Sequence, residues 1–254
     1  MEKFSFRLLT TGFHDCYYNM GLDEALLEGI AAGGAPVLRF YGWNPPAVSV
    51  GYFQGLREEV DLDACKRLGV DVVRRISGGG AVFHKSELTY SIIMGLDHPL
   101  AAAPLEESYR IICGGIILGL NKLGAGASFS GINDVTAGGL KISGNAQTRR
   151  NSSLLQHGTV LLDKDGDLMF RVLKVPPEKT RGALVREAAG RVTSLRSVLD
   201  REISFEQAAA ALAAGFAEAL NLDYRETGIL PREEARARSL AAEKFSTPEW
   251  LFKR

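Results

Sequence analysis

A run of three glycines, Gly78–Gly80, most constrains what this chain can fold into, because it follows an apolar segment that ends in two arginines. Residues 74–84 read Arg-Arg-Ile-Ser-Gly-Gly-Gly-Ala-Val-Phe-His. Glycine has no Cβ and tolerates positive φ, so such a loop can bring its backbone N–H groups close to a ligand. The guanidinium groups of Arg74 and Arg75 can pair with a phosphate or a carboxylate. The sequence therefore predicts a ligand-binding loop between two strands.

This loop differs from the common phosphate-binding glycine motifs. Gly80 is followed neither by the Gly-Lys-Ser/Thr of a P-loop nor by the third spaced glycine of the dinucleotide fingerprint. The chain also lacks the Gly-x-Ser-x-Gly elbow of serine hydrolases. Its cysteines, Cys16, Cys65 and Cys113, are widely spaced and predict neither a zinc cage nor a redox dithiol.

Charge and hydropathy exclude several classes of partner. The 254 residues include 30 Lys+Arg and 30 Asp+Glu, so the formal net charge is zero and no whole-molecule attraction to nucleic acid is expected. The N-terminus lacks the apolar core of a signal peptide, and no apolar run is long enough to cross a bilayer. We expect a cytoplasmic protein that binds neither nucleic acid nor membrane.

Hydrophobic periodicity predicts strands and helices that mix without strict alternation. The predicted strands are Phe4–Leu9, Val37–Tyr41, Ala47–Phe53, Val70–Arg75, Leu88–Met94, Lys141–Gln147 and Leu154–Leu162. The predicted helices are Asn19–Ile30, Asp61–Leu68, Leu105–Leu123, Arg232–Lys244 and one that starts at a Ser204/Gln207 capping box and ends at Asn221. We expect Asn19 to be an N-cap and the second and third strands to form a hairpin. The fold class is α+β, a mixed β-sheet with flanking helices.

Two further polar features follow the glycine loop. Lys141 stands after the Gly138-Gly139 turn, where it is either solvated or a point charge for a phosphate. His157 interrupts an apolar strand pattern, so it is expected to face a cavity or an internal partner.

Taken together, these segments resemble the lipoate-protein ligase and octanoyltransferase family, which shares a superfamily with the biotin protein ligases. The resemblance rests on residues 39–43 (Arg-Phe-Tyr-Gly-Trp), 50–54 (Val-Gly-Tyr-Phe-Gln), 74–84, 133–134 (Asn-Asp), 141–144 (Lys-Ile-Ser-Gly), 156–158 (Gln-His-Gly) and 244–250 (Lys-Phe-Ser-Thr-Pro-Glu-Trp). It implies one class II synthetase-like catalytic domain over residues 1–254, helical from about residue 177 and without a separate accessory domain.

The resemblance also implies a site beneath the glycine loop. Lys141 would be the catalytic residue, lying against the acyl carbonyl and the adenylate phosphate, and Asp134 is the candidate Mg²⁺ contact. The implied acyl- and adenylate-binding residues are Arg75, Ser77, Gly78, Gly79, Gly80, Val82, Phe83, His84, Asn133, Asp134, Gly144, Ala146, His157, Gly158 and Thr159.

Two activities share this scaffold, and the sequence favours the ligase. A lipoate-protein ligase uses ATP and Mg²⁺ to turn lipoate, or octanoate, into an acyl-adenylate and passes the acyl group to a carrier lysine. An octanoyltransferase, the alternative, takes octanoate from acyl carrier protein through a cysteine thioester. Ser128 stands where that cysteine is expected, and Gly80 stands where the transferases tend to carry arginine. A lipoate-binding module without catalysis is the second alternative.

The resemblance implies partners as well. The acceptors would be apo lipoyl domains of 2-oxoacid dehydrogenase complexes or the glycine-cleavage carrier protein. Either a separate small accessory subunit completes adenylation, or the chain performs only transfer from a preformed adenylate. One departure from the ligases is Lys85, which replaces the aspartate that usually follows the motif histidine.

Overall fold

The computed structural model describes residues 3–174 and 190–254, which form two β-sheets with helices packed around them. The strands are β1 Phe4–His14, β2 Val37–Trp43, β3 Ala47–Val50, β4 Asp71–Arg74, β5 Val82–His84, β6 Glu87–Gly95, β7 Ala127–Ser130, β8 Asp134–Ala137, β9 Leu140–Arg150, β10 Ser153–Leu161 and β11 Leu222–Glu226. The α-helices are α1 Cys16–Ala31, α2 Leu56–Glu59, α3 Leu62–Leu68, α4 Leu105–Lys122, α5 Gly166–Val172, α6 Leu195–Leu199, α7 Phe205–Leu220, α8 Pro231–Leu240 and α9 Pro248–Leu251. A 3-10 turn at Pro99–Ala101 and a π-helical turn at Ala241–Phe245 complete them.

The larger sheet is mixed. Its eight strands run in the order β11-β1-β2-β6-β10-β9-β8-β7, and β1 pairs in parallel with both β2 and β11. The strands from β2 through β6, β10 and β9 pair antiparallel. The smaller sheet has the order β4-β3-β5. The predicted α+β class with a mixed sheet and flanking helices is therefore confirmed.

The predicted hairpin between the second and third strands is wrong. β2 pairs with β1 and β6, whereas β3 becomes the central strand of the smaller sheet. Every residue of β3 is buried, so the strand needs cover on both faces, and it obtains that cover between two layers. Apolar patterning identified both strands but does not determine which strands pair.

Two details of the helical prediction are also corrected. Helix α1 begins at Cys16, and Asp15 caps it by accepting a hydrogen bond from the Tyr18 backbone N at 2.8 Å, whereas Asn19 is buried within the helix. The last third also contains a strand, β11, which pairs in parallel with β1 at the sheet edge. Residues 175–189, where the helical part is predicted to begin, lie outside the described residues.

Side-chain alternation gives the large sheet two different faces. One face carries Phe40 and Tyr90 and packs on α4 and α7. The other carries Tyr41 and Ile93 and packs on α1, α8 and the π-helical turn. Ala47 of the smaller sheet joins this second cluster, so the smaller sheet lies over the α1 face. Within the described ranges, no helix combines the length and apolar character that crossing a bilayer requires.

Helices α4 and α7 pack closely through glycines. A Cβ added to Gly215 would lie 2.3 Å from the Gly115 carbonyl oxygen and 2.3 Å from the Gly119 nitrogen. Both obstacles are backbone atoms, so only separation of the helices would relieve the contact. The close approach lets Phe216 and Leu212 reach the core beneath α4.

We expect Gly215→Ala to lower the free energy of unfolding by about 1–3 kcal/mol, as overpacking does. Gly114→Ala is the matched control, because its added Cβ would meet Ala219 Cβ at an ordinary 3.8 Å. The control should keep or slightly raise stability, since alanine favours helix over glycine. Urea unfolding of both variants measures the difference, and equal midpoints would contradict the packing argument.

Candidate functional site

The cavity that holds most of the predicted site lies between the two sheets, on the face of the large sheet that carries α1. Its volume is about 160 Å³. The predicted residues that line it are Arg75, Gly79, Gly80, Val82, His84, Asn133, Lys141, Gly144, Ala146, His157, Gly158 and Thr159. Apolar side chains of Met20, Tyr41 and Trp43 also line it. The geometry is that of an apolar slot with a cation, Lys141, in its wall.

The remaining predicted residues lie around the slot. Ser77 is buried behind it, and Asp134 pairs with Lys141. A Cβ on Gly78 would be 3.9 Å from the Phe53 ring, which lies outside the loop. Phe83 packs against the apolar cluster of the smaller sheet, and this placement separates it from the slot.

Close approach of two backbones shapes the glycine loop. Gly79 has φ +90°, a conformation that favours glycine. A Cβ on Gly51, just after β3, would lie 2.0 Å from the Gly79 carbonyl oxygen, so both positions need glycine. The amide N–H groups of Gly78, Gly79 and Gly80 donate to no acceptor within residues 3–174 and 190–254. These amides remain available to a ligand carbonyl or phosphate.

The two arginines before the loop bind protein carbonyls. Arg75 Nη1 donates to Ser49 O at 3.0 Å and Oγ at 3.2 Å, and its Nη2 donates to Gly78 O at 2.8 Å and Gly80 O at 2.7 Å. Burial lowers the pKa of Arg75 to about 10. Arg74 donates to the carbonyls of Gly51 at 3.0 Å and Leu251 at 2.9 Å. Both guanidinium groups therefore hold the loop in shape, and Arg75 also lines the slot, where its predicted contact with a ligand anion stays a prediction.

A buried hydrogen-bonded chain ties the loop to the large sheet. Ser77 Oγ lies 2.5 Å from His157 Nε2, and His157 Nδ1 lies 3.1 Å from Asp23 Oδ2. Asp23 also accepts from Arg39 Nη1 at 2.7 Å and from the Tyr41 hydroxyl at 2.9 Å. His157 therefore has an internal partner and also borders the slot, so both features expected of it occur together.

A second buried histidine, His84, also lines the slot and is fixed by hydrogen bonds. His84 Nδ1 lies 2.7 Å from Glu87 Oε1, and its Nε2 lies 2.8 Å from Ser49 Oγ. Its ring stacks on Trp43 with centroids 3.9 Å apart. Burial lowers the pKa of His84, although Glu87 opposes that shift. Lys85, next in sequence, forms an exposed ion pair with Asp165 at 2.6 Å, away from the slot.

Lys141 is held at the slot by its neighbours. Its Nζ lies 2.7 Å from Asp134 Oδ1, an ion pair between partly exposed side chains. Its backbone N donates to Arg191 O at 2.9 Å. A Cβ on Gly144 would lie 2.8 Å from Lys141 Cε and 2.9 Å from Nζ, so this glycine leaves the room that the lysine occupies.

The thiols lie elsewhere. Cys16, Cys65 and Cys113 are buried, and none of them lines the slot. Burial raises the pKa of all three, that of Cys65 to about 11 and that of Cys113 to about 12. Ser128 is exposed, and its Oγ lies 3.3 Å from Thr136 Oγ1. The described residues therefore bring no activated thiolate to the slot.

The described residues do not fit a protein-held Mg²⁺ site. Mg²⁺ binds carboxylate and phosphate oxygens. Among the described residues no group of three His, Cys, Asp or Glu could hold a metal ion. Asp134 Oδ1, the predicted contact, is buried and has no hydrogen-bond partner among the described residues, although Lys141 Nζ lies 2.7 Å from it.

Asp23, Ser49 and Trp43 also contact the site, and none of them is among the residues that the sequence predicts for it. Trp43 belongs to a segment quoted for the resemblance, and its position in β2 could have indicated a role. Asp23 carries the signal of an acid four residues after Asn19, and this spacing places both polar side chains on one face of the helix. Ser49 carries no signal, because its role depends on which strands the smaller sheet brings together.

Comparison with known proteins gives a consistent set of relatives. The sequence model of the lipoyl protein ligase A/B catalytic domain matches residues 15–217. The octanoyltransferase LipM of Geobacillus kaustophilus is 36% identical over 278 aligned positions, with 100% of each chain covered. That of Bacillus subtilis is 33% identical, again over 100% of each chain.

Solved structures are similar over nearly the whole chain. The bi-partite lipoate protein ligase of Thermoplasma acidophilum has a TM-score of 0.89 at 34% identity, covering 98% of this chain and 96% of that one. A lipoate-protein ligase A bound with ATP has a TM-score of 0.85 at 32% identity, covering 98% of each chain.

We expect Gly144→Ala to displace the Lys141 ammonium and to lower the rate of any acyl transfer in the slot at least about tenfold, because misplaced groups lose catalysis steeply. The obstacle is the flexible end of a side chain, so the melting temperature should change little. Gly29→Ala in α1 is the matched control, since its added Cβ would meet no atom within 4 Å. Equal rates for the two variants would show that Lys141 need not occupy its present position.

Proposed function

The chain belongs to the lipoyl protein ligase A/B catalytic-domain family, and from this premise we propose that it is an octanoyltransferase. It moves an octanoyl group from acyl carrier protein to a lysine of a lipoyl domain. Both the transferase and the ligase need a slot for an aliphatic acyl group. The relatives named octanoyltransferase match this chain from end to end, and this match supports the transferase, which the sequence analysis ranks second.

One arrangement carries the proposal: Gly79 and Gly80, whose amides donate to no acceptor among the described residues, line the same slot as the ammonium of Lys141. When an amine attacks a thioester carbonyl, negative charge develops on the carbonyl oxygen. Donors already fixed in place stabilise that charge without reorganising. The described part of the slot thus has the groups that acyl transfer needs, and Lys141 is the residue that we assign to catalysis.

The chain's own residues favour direct transfer. No thiol lines the slot among the described residues, and Ser128 is exposed outside it. We infer that the lysine amine of the lipoyl domain attacks the octanoyl thioester while both carrier proteins are bound. A C–N bond forms, the C–S bond breaks, and the departing thiol takes up the proton that the amine loses.

ATP-dependent lipoate ligation is a second candidate, favoured by the two ligase structures and by the same lack of a thiol in the slot. The slot would serve it equally well, because an acyl-adenylate also presents a carbonyl and an anionic group. The two activities differ in what activates the acyl group, a thioester or a phosphate anhydride.

Mass spectrometry of an apo lipoyl domain decides between the two. We expect mass to be added by this chain with octanoyl-acyl carrier protein, and not with lipoate, ATP and Mg²⁺. Lys141→Ala should reduce transfer by on the order of 10²-fold or more, as loss of an electrostatic donor does. Mass added only in the ATP mixture would show that the chain is a ligase and not a transferase. Acyl binding without transfer in either mixture would indicate that the chain is a lipoate-binding module without catalysis.

Direct transfer has its own test. A variant with Cys16, Cys65 and Cys113 each replaced by alanine should retain most of the transfer rate, because these thiols lie outside the slot. Intact-mass spectra of the wild type with octanoyl-acyl carrier protein alone should show no hydroxylamine-sensitive adduct. An octanoyl thioester on any of the three cysteines would contradict the direct route.

A further inference from the structure

We propose that four residues outside the glycine loop, Tyr52, Phe53, Arg150 and Lys253, dock the acceptor domain through carboxylates beside its target lysine. We call these four residues the basic–aromatic patch. The inference rests on the proposed function in one respect, namely that the acceptor is a lipoyl domain. It does not depend on the donor, because both candidate reactions use the same acceptor.

The patch is attached directly to the loop that roofs the slot. The Tyr52 backbone N donates to Ser77 O at 2.9 Å, and Arg150 Nη2 donates to Ile76 O at 3.1 Å. The Phe53 ring lies 3.9 Å from where a Cβ on Gly78 would stand. A protein resting on the patch would therefore touch the outer side of the loop whose inner side faces the acyl group.

The patch concentrates positive charge that no described acid neutralises. Lys253 Nζ lies 2.7 Å from the Tyr52 hydroxyl and 4.7 Å from the centre of its ring. The Arg150 guanidinium lies 5.8 Å from the same ring. Neither cation pairs with an acidic side chain of the described residues. The hydrogen bond from Lys253, together with the nearby cations, lowers the pKa of Tyr52.

The aromatic part of the patch is unusually accessible. Phe53 is 72% exposed, and its ring packs edge-on against Tyr52 with centroids 4.9 Å apart. Aromatic residues and arginine are enriched at protein interfaces, where they gain contact area at a low entropic cost. An exposed phenylalanine beside cations that no described acid neutralises is therefore suited to a protein that brings both apolar and acidic groups.

Electrostatics determines which sign of charge the partner needs on its docking surface. The acceptor's lysine ammonium must approach Lys141, and two ammonium groups repel each other. Carboxylates on the acceptor that pair with Arg150 and Lys253 would offset this repulsion. Because the chain's net charge is zero, such attraction has to come from a local surface like the patch. Attraction of this kind mainly raises the rate at which the two proteins associate, and salt weakens it.

The test compares the wild type with Lys253→Glu and with the double variant Lys253→Glu/Arg150→Gln. With saturating donor at low salt, the double variant should raise KM for the apo lipoyl domain about tenfold and leave kcat within about twofold. At 0.5 M NaCl the difference should largely disappear, since the Debye length falls to a few ångströms. The single variant changes an exposed residue, so we expect the fold, followed by the melting temperature, to stay intact while KM rises.

Arg201→Glu is the matched control, because this exposed arginine precedes α7 on the opposite face of the large sheet. It should leave KM unchanged. Equal KM values for the control and the patch variants, with an active wild type, would overturn the docking surface and leave the proposed function intact.

If the wild type modifies no lipoyl domain, the proposed function fails. Calorimetric titration of the apo lipoyl domain into the wild type and into the patch variants still tests the docking surface. Weaker binding by the patch variants would support it. Equal binding, or none by the wild type, would overturn it.

Discussion

The buried ion pair between Asp23 and Arg39 is the contact on which the site depends. Its atoms are 2.7 Å apart and its side chains are 1% and 0% exposed, respectively. Unpaired charges at that depth cost several kcal/mol, so each charge needs the other. Burial acts to raise the pKa of Asp23, but the His157 hydrogen bond and the Arg39 charge outweigh it, and the pKa lies below its ordinary value. The carboxylate thus stays ionised and orients His157 toward Ser77, where the glycine loop begins.

Glycines determine the shape of the slot as much as the larger side chains do, because a Cβ at these positions would collide with neighbouring atoms. Gly51 and Gly144 stand where a methyl group would collide with the loop carbonyl and with the Lys141 ammonium. A Cβ on Gly158 would lie 2.1 Å from Asn145 Oδ1. Backbone amides and the cations of Lys141 and Arg75 therefore line a small volume, and such a volume suits a developing carbonyl anion. A thioester and an acyl-adenylate both present such a carbonyl, so the chemistry of the slot fits either acyl donor.

The sequence could predict much of the fold and of the candidate site, since apolar periodicity located most strands and helices and glycine spacing marked the loop. Lys141 and His157 were singled out as polar residues in otherwise apolar or glycine-bounded segments, and both border the slot. The sequence could not show that Arg74 and Arg75 donate to protein carbonyls, because a guanidinium can donate equally well to a ligand anion. Only the positions of the carbonyls of residues 49, 51, 78 and 80 distinguish these two uses.

The sequence alone therefore determined the fold class, the family and the residue types that the slot would contain, because periodicity and motif spacing are local properties of the chain. The tertiary structure decided which strands pair, which acid faces His157, and that the cysteines lie outside the slot. Those outcomes depend on contacts between residues far apart in sequence. Asp23 and His157 are brought within 3.1 Å only when α1 packs across β10.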